Sequence, residues 1–249
     1  MRLNGLPLGA SKTATAAVLF DKDGTLCRSD SYLLALAQAR ASYCAQLAAD
    51  ASLEALLLRA YGVTATGLRC DGATAVASRH DNLISTATLL AAAGHSWGQA
   101  RQWASEALQQ ADRQWADRKP QLTPPTPGLY SLLERLQAAG LQLAIISSDL
   151  GPSLEAFLAE HQLCCYFQAV HGADRPLAKP NPAAALALCQ ELGLAPAQCG
   201  MIGDASDDLT MAAAAGLGWS LAYTGGWDPA PALTGSHGHI QHWDQLTPR

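Results

Sequence analysis

Ala16-Ala17-Val18-Leu19-Phe20 runs without interruption into Asp21-Lys22-Asp23-Gly24-Thr25-Leu26. A short apolar run that stops at charge reads as a buried strand delivering an acidic site. Asp21 and Asp23 lie two apart, so if strand geometry persists they project to one side and Lys22 to the other. Gly24 then permits a sharp turn that a side chain would obstruct. Paired carboxylates suit a hard cation with oxygen ligands, a nucleophile with a general acid, or both together.

Four further short apolar runs end in polar residues or glycine: Leu143 to Ile146 before Ser147, Phe167 to Val170 before His171, Met201-Ile202 before Gly203-Asp204, and Trp219 to Tyr223 before Thr224. Helical patterns separate them, over Gly128 to Ala139, Pro152 to His161, Pro182 to Leu192 and Ser206 to Ala215. Asn181 before Pro182 reads as an N-cap with proline at the first helical position, and Gly140, Gly193 and Gly216 read as helix stops. Strand and helix alternate, which predicts an α/β fold with a parallel sheet and crossover helices.

The segment from about Cys27 to Pro127 interrupts that alternation and carries no strand pattern, so it reads as a helical insertion. Ser31 to Asp50 and Asp71 to Ala93 are rich in Ala and Leu, and Ser96 is placed to cap a helix running to about Arg118. Ala104, Leu108, Ala111 and Trp115 in that last helix recur at core spacing. Pro124-Pro125-Thr126-Pro127 ends the insertion. The resulting division is a core of residues 1–27 and 125–249 with a helical domain of residues 28–124 inserted after the first strand.

With 249 residues, 49% of them hydrophobic, the chain can bury a sizeable core without disulfides. The formal charge is -5, and the 16 basic residues form no stripe of the kind phosphate-backbone binding requires, which argues against a nucleic-acid partner. Arg2 followed by the apolar stretch at Ala14 to Phe20 imitates a signal segment, but the stretch is short and ends at Asp21. No run approaches the roughly 20 apolar residues of a membrane span, so neither a membrane nor export is expected. Seven cysteines in an odd set without CxxC spacing favour reduced thiols and a cytoplasmic location, with the adjacent Cys164-Cys165 read as packing. His237, His239 and His242 are close enough to suggest a metal, yet they fit a last short strand and turn better.

The chemistry-bearing residues fall at predicted strand ends: Asp21 and Asp23, then Ser147, then Lys179 on the loop beyond the third strand, then Asp204, Asp207 and Asp208. In open α/β sheets that edge binds ligands. The order and spacing resemble the haloacid dehalogenase superfamily of phosphohydrolases, on Asp21-Lys22-Asp23-Gly24-Thr25, Ser147, Lys179-Pro180 and Gly203-Asp204-Ala205-Ser206-Asp207-Asp208. The stretch from Phe167 to Asp208 resembles the phosphoglycolate phosphatase group in particular. The resemblance implies a Rossmann-like parallel sheet core with an inserted all-helical cap domain.

What the resemblance further implies is a Mg²⁺-dependent phosphatase acting on a small phosphorylated metabolite, such as a phosphoglycolate-like ester. Asp21 would form an aspartyl-phosphate and Asp23 would protonate the leaving alcohol, then activate water. Mg²⁺ would be held by Asp21 and Asp204 and by the backbone carbonyl of Asp23, with Asp208 counted among the metal residues and holding either Lys179 or a metal-bound water. Ser147, the Ser148 amide and backbone amides around Lys22 and Gly24 would cradle the phosphate, while Lys179 neutralises charge. Asp207 is assigned to the surroundings of the metal. Arg28, Arg69, Arg79 and His80 are the basic residues of the insertion placed to meet a second anionic group. A phosphomutase of the β-phosphoglucomutase type, with His80 serving in the insertion, and a silent binding module are the alternatives. Lys22 departs from the apolar residue usual at its position in such relatives; it either adds a positive charge near the crevice or points away.

Overall fold

The structure, a computed structural model, describes residues 1–8 and 14–248. The contacts of the chain divide it into two compact units, Met1–Ser29 with Thr123–Arg249, and Asp30–Leu122.

The first unit is built on a six-stranded sheet: β1 (Ala17–Phe20), β2 (Gln142–Ile146), β3 (Ala169–His171), β4 (Cys199–Gly203), β5 (Trp219–Tyr223) and β6 (His239–Ile240). Their order is β6-β5-β4-β1-β2-β3 and every pairing is parallel. β1 is central, with Phe20 level with Ile145 of β2 on one side and Ile202 of β4 on the other. The strand order reverses beside β1, where neighbouring crossovers leave in opposite directions and a crevice opens at the carboxyl ends.

Strand alternation sorts the core into two layers. Val18 and Phe20 pack with Leu143, Ile145 and the helices α5 (Leu129–Ala138) and α6 (Gly151–Glu160). Ala17 and Leu19 pack with Ala144, Ile146 and the helices α7 (Pro182–Glu191) and α8 (Ser206–Ala214). The Asn181 side chain accepts from the Ala183 amide, the predicted cap of α7. A small antiparallel sheet of Leu246–Thr247, Arg2–Leu3 and Leu6–Pro7 joins the two ends of the chain.

The second unit is helical: α1 (Asp30–Ala48), α2 (Ser52–Ala60), α3 (Arg79–Ala92) and α4 (Trp97–Trp115). Ala37, Ala41, Leu57, Tyr61, Leu90, Ala100, Ala104 and Ala107 form its core. It also holds a hairpin of two-residue strands, Val63–Thr64 and Gly67–Leu68, too short to leave an alternating pattern in the sequence. The Ala- and Leu-rich stretch from Asp71 is broken into a single turn, Ala73–Val76, and α3, because the Ser78 side chain caps the latter by accepting from the Asp81 amide. Arg28, counted with the insertion in the sequence, falls in the first unit, where its amide bonds the Pro124 carbonyl. The outgoing and returning chains are thus tied together, as Thr126 N donates to Leu26 O as well.

Among the described residues no helix is long and apolar enough to cross a membrane. All seven cysteines are free thiols; Cys164 and Cys165 are exposed rather than packed, because they lie in the turn that follows α6.

Candidate active site

Asp21 follows Phe20 on the side of β1 that carries Ala17 and Leu19, toward α7 and α8. Its amide bonds Ile202 O of β4 at 2.9 Å, fixing the backbone, and its carboxylate accepts from Lys179 Nζ at 2.6 Å. Lys179 also pairs with Asp208, in the first turn of α8. Asp204, one residue beyond β4, accepts from Thr25 Oγ1 at 3.3 Å and from Trp227 Nε1 at 2.5 Å. Oxygens of Asp21, Asp204 and Asp208 lie within 4.8 Å of one another, and all three side chains are buried.

Three carboxylates therefore face one ammonium. Burial, with Asp208 and Asp23 nearby, pushes the Asp21 carboxyl up to about 6 against the pull of Lys179. Burial pushes Asp204 well above the usual carboxylate range, helped by Asp21 and Asp208. Burial also opposes the charge of Lys179, but Asp208 and Asp21 outweigh it and hold its pKa above the ordinary lysine value. An all-oxygen, negatively overcharged cluster fits a hard divalent cation such as Mg²⁺.

That charge surplus has a measurable consequence. Carboxyls whose pKa is raised on folding bind more protons folded than unfolded, so the stability they contribute falls as pH rises through about 6. A dication relieves the same repulsion. Melting curves in EDTA and in MgCl₂ should therefore show a larger Mg²⁺-induced rise in Tm at pH 8 than at pH 5.5; a rise of equal size at both values, or none, would count against this account.

Asp23 has a different set of partners. The strand ends at Phe20, and a turn in which the amides of Thr25 and Cys27 bond Lys22 O redirects the chain. Asp23 consequently does not extend the strand alternation into the partners of Asp21: its Oδ1 accepts from Lys22 Nζ at 2.6 Å, from Ser29 Oγ, and weakly from Cys27 Sγ at 3.7 Å. Its side chain keeps 23% exposure. Lys22 lies on the other side of β1, as its position predicts, and is completely buried. Its charge is delivered inward to Asp23 and to Asp149, the latter at 3.3 Å, so any part it plays in holding phosphate would fall to its backbone amide.

Gly24 adopts φ +75°, and a Cβ there would fall 2.1 Å from Trp227 Nε1 and 2.2 Å from Asp204 Oδ2. Only glycine fits beneath that loop. Ser147, at the end of β2, is buried and its Oγ accepts from Asp149 N at 3.1 Å, while Ser148 is exposed. Asp207 is exposed on α8 and outside the acidic cluster.

In the helical unit Arg69 is exposed and engaged bidentately by Asp71 at 2.8 Å. Arg79 pairs with Asp112 at 2.8 Å, as does the buried Arg40 at 3.1 Å, and His80 is exposed. Two of the three histidines are used locally: His237 Nδ1 accepts from Ser220 N at 3.1 Å, and His239 Nε2 lies 2.7 Å from Leu233 O. Trp227 lies in the stretch Gly225 to Pro229, which reads from the sequence as a loop beside the crevice with Trp227 either lining the entrance or packing, whereas Asp149 has no assignment from the sequence because a loop from another strand brings it in. The proximity of Asp149 to Ser147 is the sequence signal that could have found it.

The central parallel sheet and the acidic, lysine-paired strand ends place the chain in the haloacid dehalogenase-like class of proteins. The chain matches the family described as haloacid dehalogenase-like hydrolase over residues 15–216 and belongs to it. It is 33% identical over 132 residues to the phosphoglycolate phosphatase of Aliivibrio fischeri, a stretch covering 53% of this chain and 58% of that protein. It is 36% identical over 109 residues to the phosphoglycolate phosphatase of Psychrobacter arcticus, covering 41% and 46%. The chain thus spans about half the length of the curated relatives it matches. Its fold is shared with a haloacid dehalogenase superfamily hydrolase, subfamily IA, of Geobacter sulfurreducens, at TM-score 0.59 and 20% identity over 95% of this chain and 96% of that one. A haloacid dehalogenase-like protein of Streptococcus pneumoniae has it too, at TM-score 0.58 and 22% identity over 84% and 85%.

Proposed function

We propose that the protein is a divalent-cation-dependent phosphomonoesterase in which Asp21 accepts the phosphoryl group and Asp23 handles the alcohol's proton. The observation that carries this reading is the separation of the two aspartates into unlike surroundings. Asp21 is buried against Lys179 within the acidic cluster; Asp23 is partly exposed and anchored by Lys22 and Ser29. Two carboxyl groups with unlike partners suit two roles, nucleophile and general acid.

An Asp21 oxygen attacks phosphorus as the bond to the ester oxygen breaks. Asp23 gives its proton to that departing oxygen. Water then attacks the phosphorus of the aspartyl-phosphate while Asp23 takes a proton from it, and inorganic phosphate leaves as the Asp21 carboxylate is restored. Lys179 offsets the repulsion between the carboxylate and the phosphate dianion. Asp21, Asp204 and Asp208, with the Asp23 carbonyl, would hold Mg²⁺, which supplies charge neutralisation at the phosphoryl oxygens when bound. Ser147 and the Ser148 amide are assigned to those oxygens, together with the amides around Lys22 and Gly24. The helical unit, Asp30–Leu122 with Arg69, Arg79 and His80, is assigned to substrate selection together with Arg28 of the first unit.

The relatives named phosphoglycolate phosphatase make a short phosphorylated hydroxy acid the first ester to try. Purified protein with Mg²⁺ should release inorganic phosphate from 2-phosphoglycolate or another small phosphate monoester, and EDTA should stop the release. No release across a panel of phosphorylated metabolites would overturn the proposal. A sugar phosphate isomerised without net phosphate release would replace it with a mutase.

A further inference from the structure

Lys22 is the most unusual group in the first unit. A lysine side chain with no solvent exposure gives up its hydration, a cost that survives only when anionic partners replace the water. Here they are Asp23 Oδ1 at 2.6 Å and Asp149 Oδ2 at 3.3 Å, and the ring of Phe157 on α6 lies 5.5 Å below the ammonium. Burial opposes its charge, yet Asp23, Cys27 and Asp149 more than compensate, so it stays an ammonium. The placement follows from the strand. Val18, Phe20 and Lys22 share one side of β1, the layer that contains Phe157, so an apolar residue would complete that layer. The chain places a cation there instead.

Two strand-end segments meet at this ammonium. Lys22 and Asp23 come from the end of β1, and Asp149 comes from the loop after β2, where it also bonds Ser147 Oγ through its amide and accepts from Ser153 Oγ at 2.9 Å. Ser29 Oγ and Cys27 Sγ reach the same Asp23 oxygen from the outgoing chain. Burial keeps the Cys27 thiol protonated, so it is a weak donor. The only full positive charge among these contacts is Lys22. Without it, Asp23 and Asp149 would repel each other across the space the ammonium fills.

We propose that Lys22 is a positioning residue that acts through Asp23, tying one carboxylate oxygen to the β2 loop so that the acid is held in one orientation for proton delivery to the leaving group. The Lys22 ammonium itself points to Asp23 and Asp149 and is not assigned to substrate. The inference rests on the phosphomonoesterase reading and adds to it a residue whose effect depends on how much protonation the leaving alcohol needs.

The test compares the parent with Lys22→Met, at saturating Mg²⁺, on a small alkyl phosphate and on 4-nitrophenyl phosphate. The value to follow is kcat/KM, which reports only steps through the first phosphoryl transfer. An alkoxide must be protonated as it leaves, whereas 4-nitrophenolate departs without help. Lys22→Met should lower kcat/KM for the alkyl ester at least tenfold more than for the aryl ester, with KM little changed, since general acids contribute roughly 10²–10⁴-fold. Equal losses on both esters, or a loss confined to KM, overturn the inference. Where the parent accepts no aryl ester, the comparison becomes Lys22→Met in the parent against the same change in an Asp23→Asn background. A residue acting through Asp23 has little further effect there, and an equal loss in both backgrounds overturns the proposal. Should Lys22→Met fail to fold, Lys22→Met with Asp149→Asn removes the second carboxylate that faced the ammonium while still depriving Asp23 of its lysine, and the same ratio applies. A parent silent on every ester sinks both readings; an active parent with an unchanged ratio sinks this one alone.

Discussion

Asp21→Asn should abolish turnover while leaving the protein folded. The amide has nearly the size of the carboxylate and can still accept from Lys179 Nζ, so the packing between β1 and α7 and α8 is not disturbed. It cannot attack phosphorus as an anion. Removing a covalent nucleophile leaves only the acceleration supplied by binding and electrostatics, and the expected loss in kcat is roughly 10⁴-fold or more. Stability should move the other way from what a lost ion pair suggests. Burial already raises the Asp21 carboxyl to about 6, and Asp204 higher than usual, because the cluster holds more negative charge than Lys179 balances. Deleting one charge at pH 8 in EDTA should leave Tm unchanged or higher, and should shrink the Mg²⁺-induced rise. Turnover comparable to the parent would rule out Asp21 as nucleophile, and a large drop in Tm would show that the carboxylate serves chiefly to hold Lys179.

Much of this site could be read from the sequence because each part is carried by a local pattern that ends at a strand terminus. Phe20 to Asp21, Ile146 to Ser147 and Gly203 to Asp204 are abrupt changes from apolar to polar, and a parallel sheet brings all such ends to one edge whatever their separation along the chain. Lys179 is different, since its partners Asp21 and Asp208 lie 158 and 29 residues away. Only the resemblance to a family joined them. The side of the strand taken by Lys22 followed from alternation, but its destination did not, because Asp149 and Phe157 are supplied by the next strand and helix. Asp23 was to share a side with Asp21 only if strand geometry persisted, and the strand stops at Phe20, where the turn at Lys22 to Cys27 takes over. The short pieces were illegible for a simpler reason. Two-residue strands such as Val63–Thr64 and Arg2–Leu3 have no period to detect, and the latter pairs with Leu246–Thr247 at the opposite end of the chain.

Lys179→Met should be the most destabilising single change at this edge. The side chain keeps only 7% exposure, and it is the cation shared by Asp21 and Asp208. Methionine fills a similar length but leaves Asp21, Asp204 and Asp208 buried within 4.8 Å of one another with no positive partner. Breaking a buried pair from one side costs about 3–5 kcal/mol, because the desolvated charges that remain are uncompensated. In a chain of this size that corresponds to a Tm lower by roughly 6–20 °C in EDTA at pH 8. The deficit should shrink on acidification, since the carboxyls whose pKa burial has raised take up protons and the repulsion disappears. It should shrink with Mg²⁺ as well, because a dication answers the same surplus of charge. Activity is a separate matter: even with Mg²⁺ restoring the fold, kcat/KM should stay down by roughly 10²–10³-fold, the usual consequence of removing one preorganised positive group from a phosphoryl-transfer site. Thermal melts and steady-state rates on the same preparation separate the two effects. A variant as stable as the parent at pH 8 without metal would mean that Lys179 does not balance the acidic cluster. Full activity on restored folding would mean that it balances the cluster and nothing more.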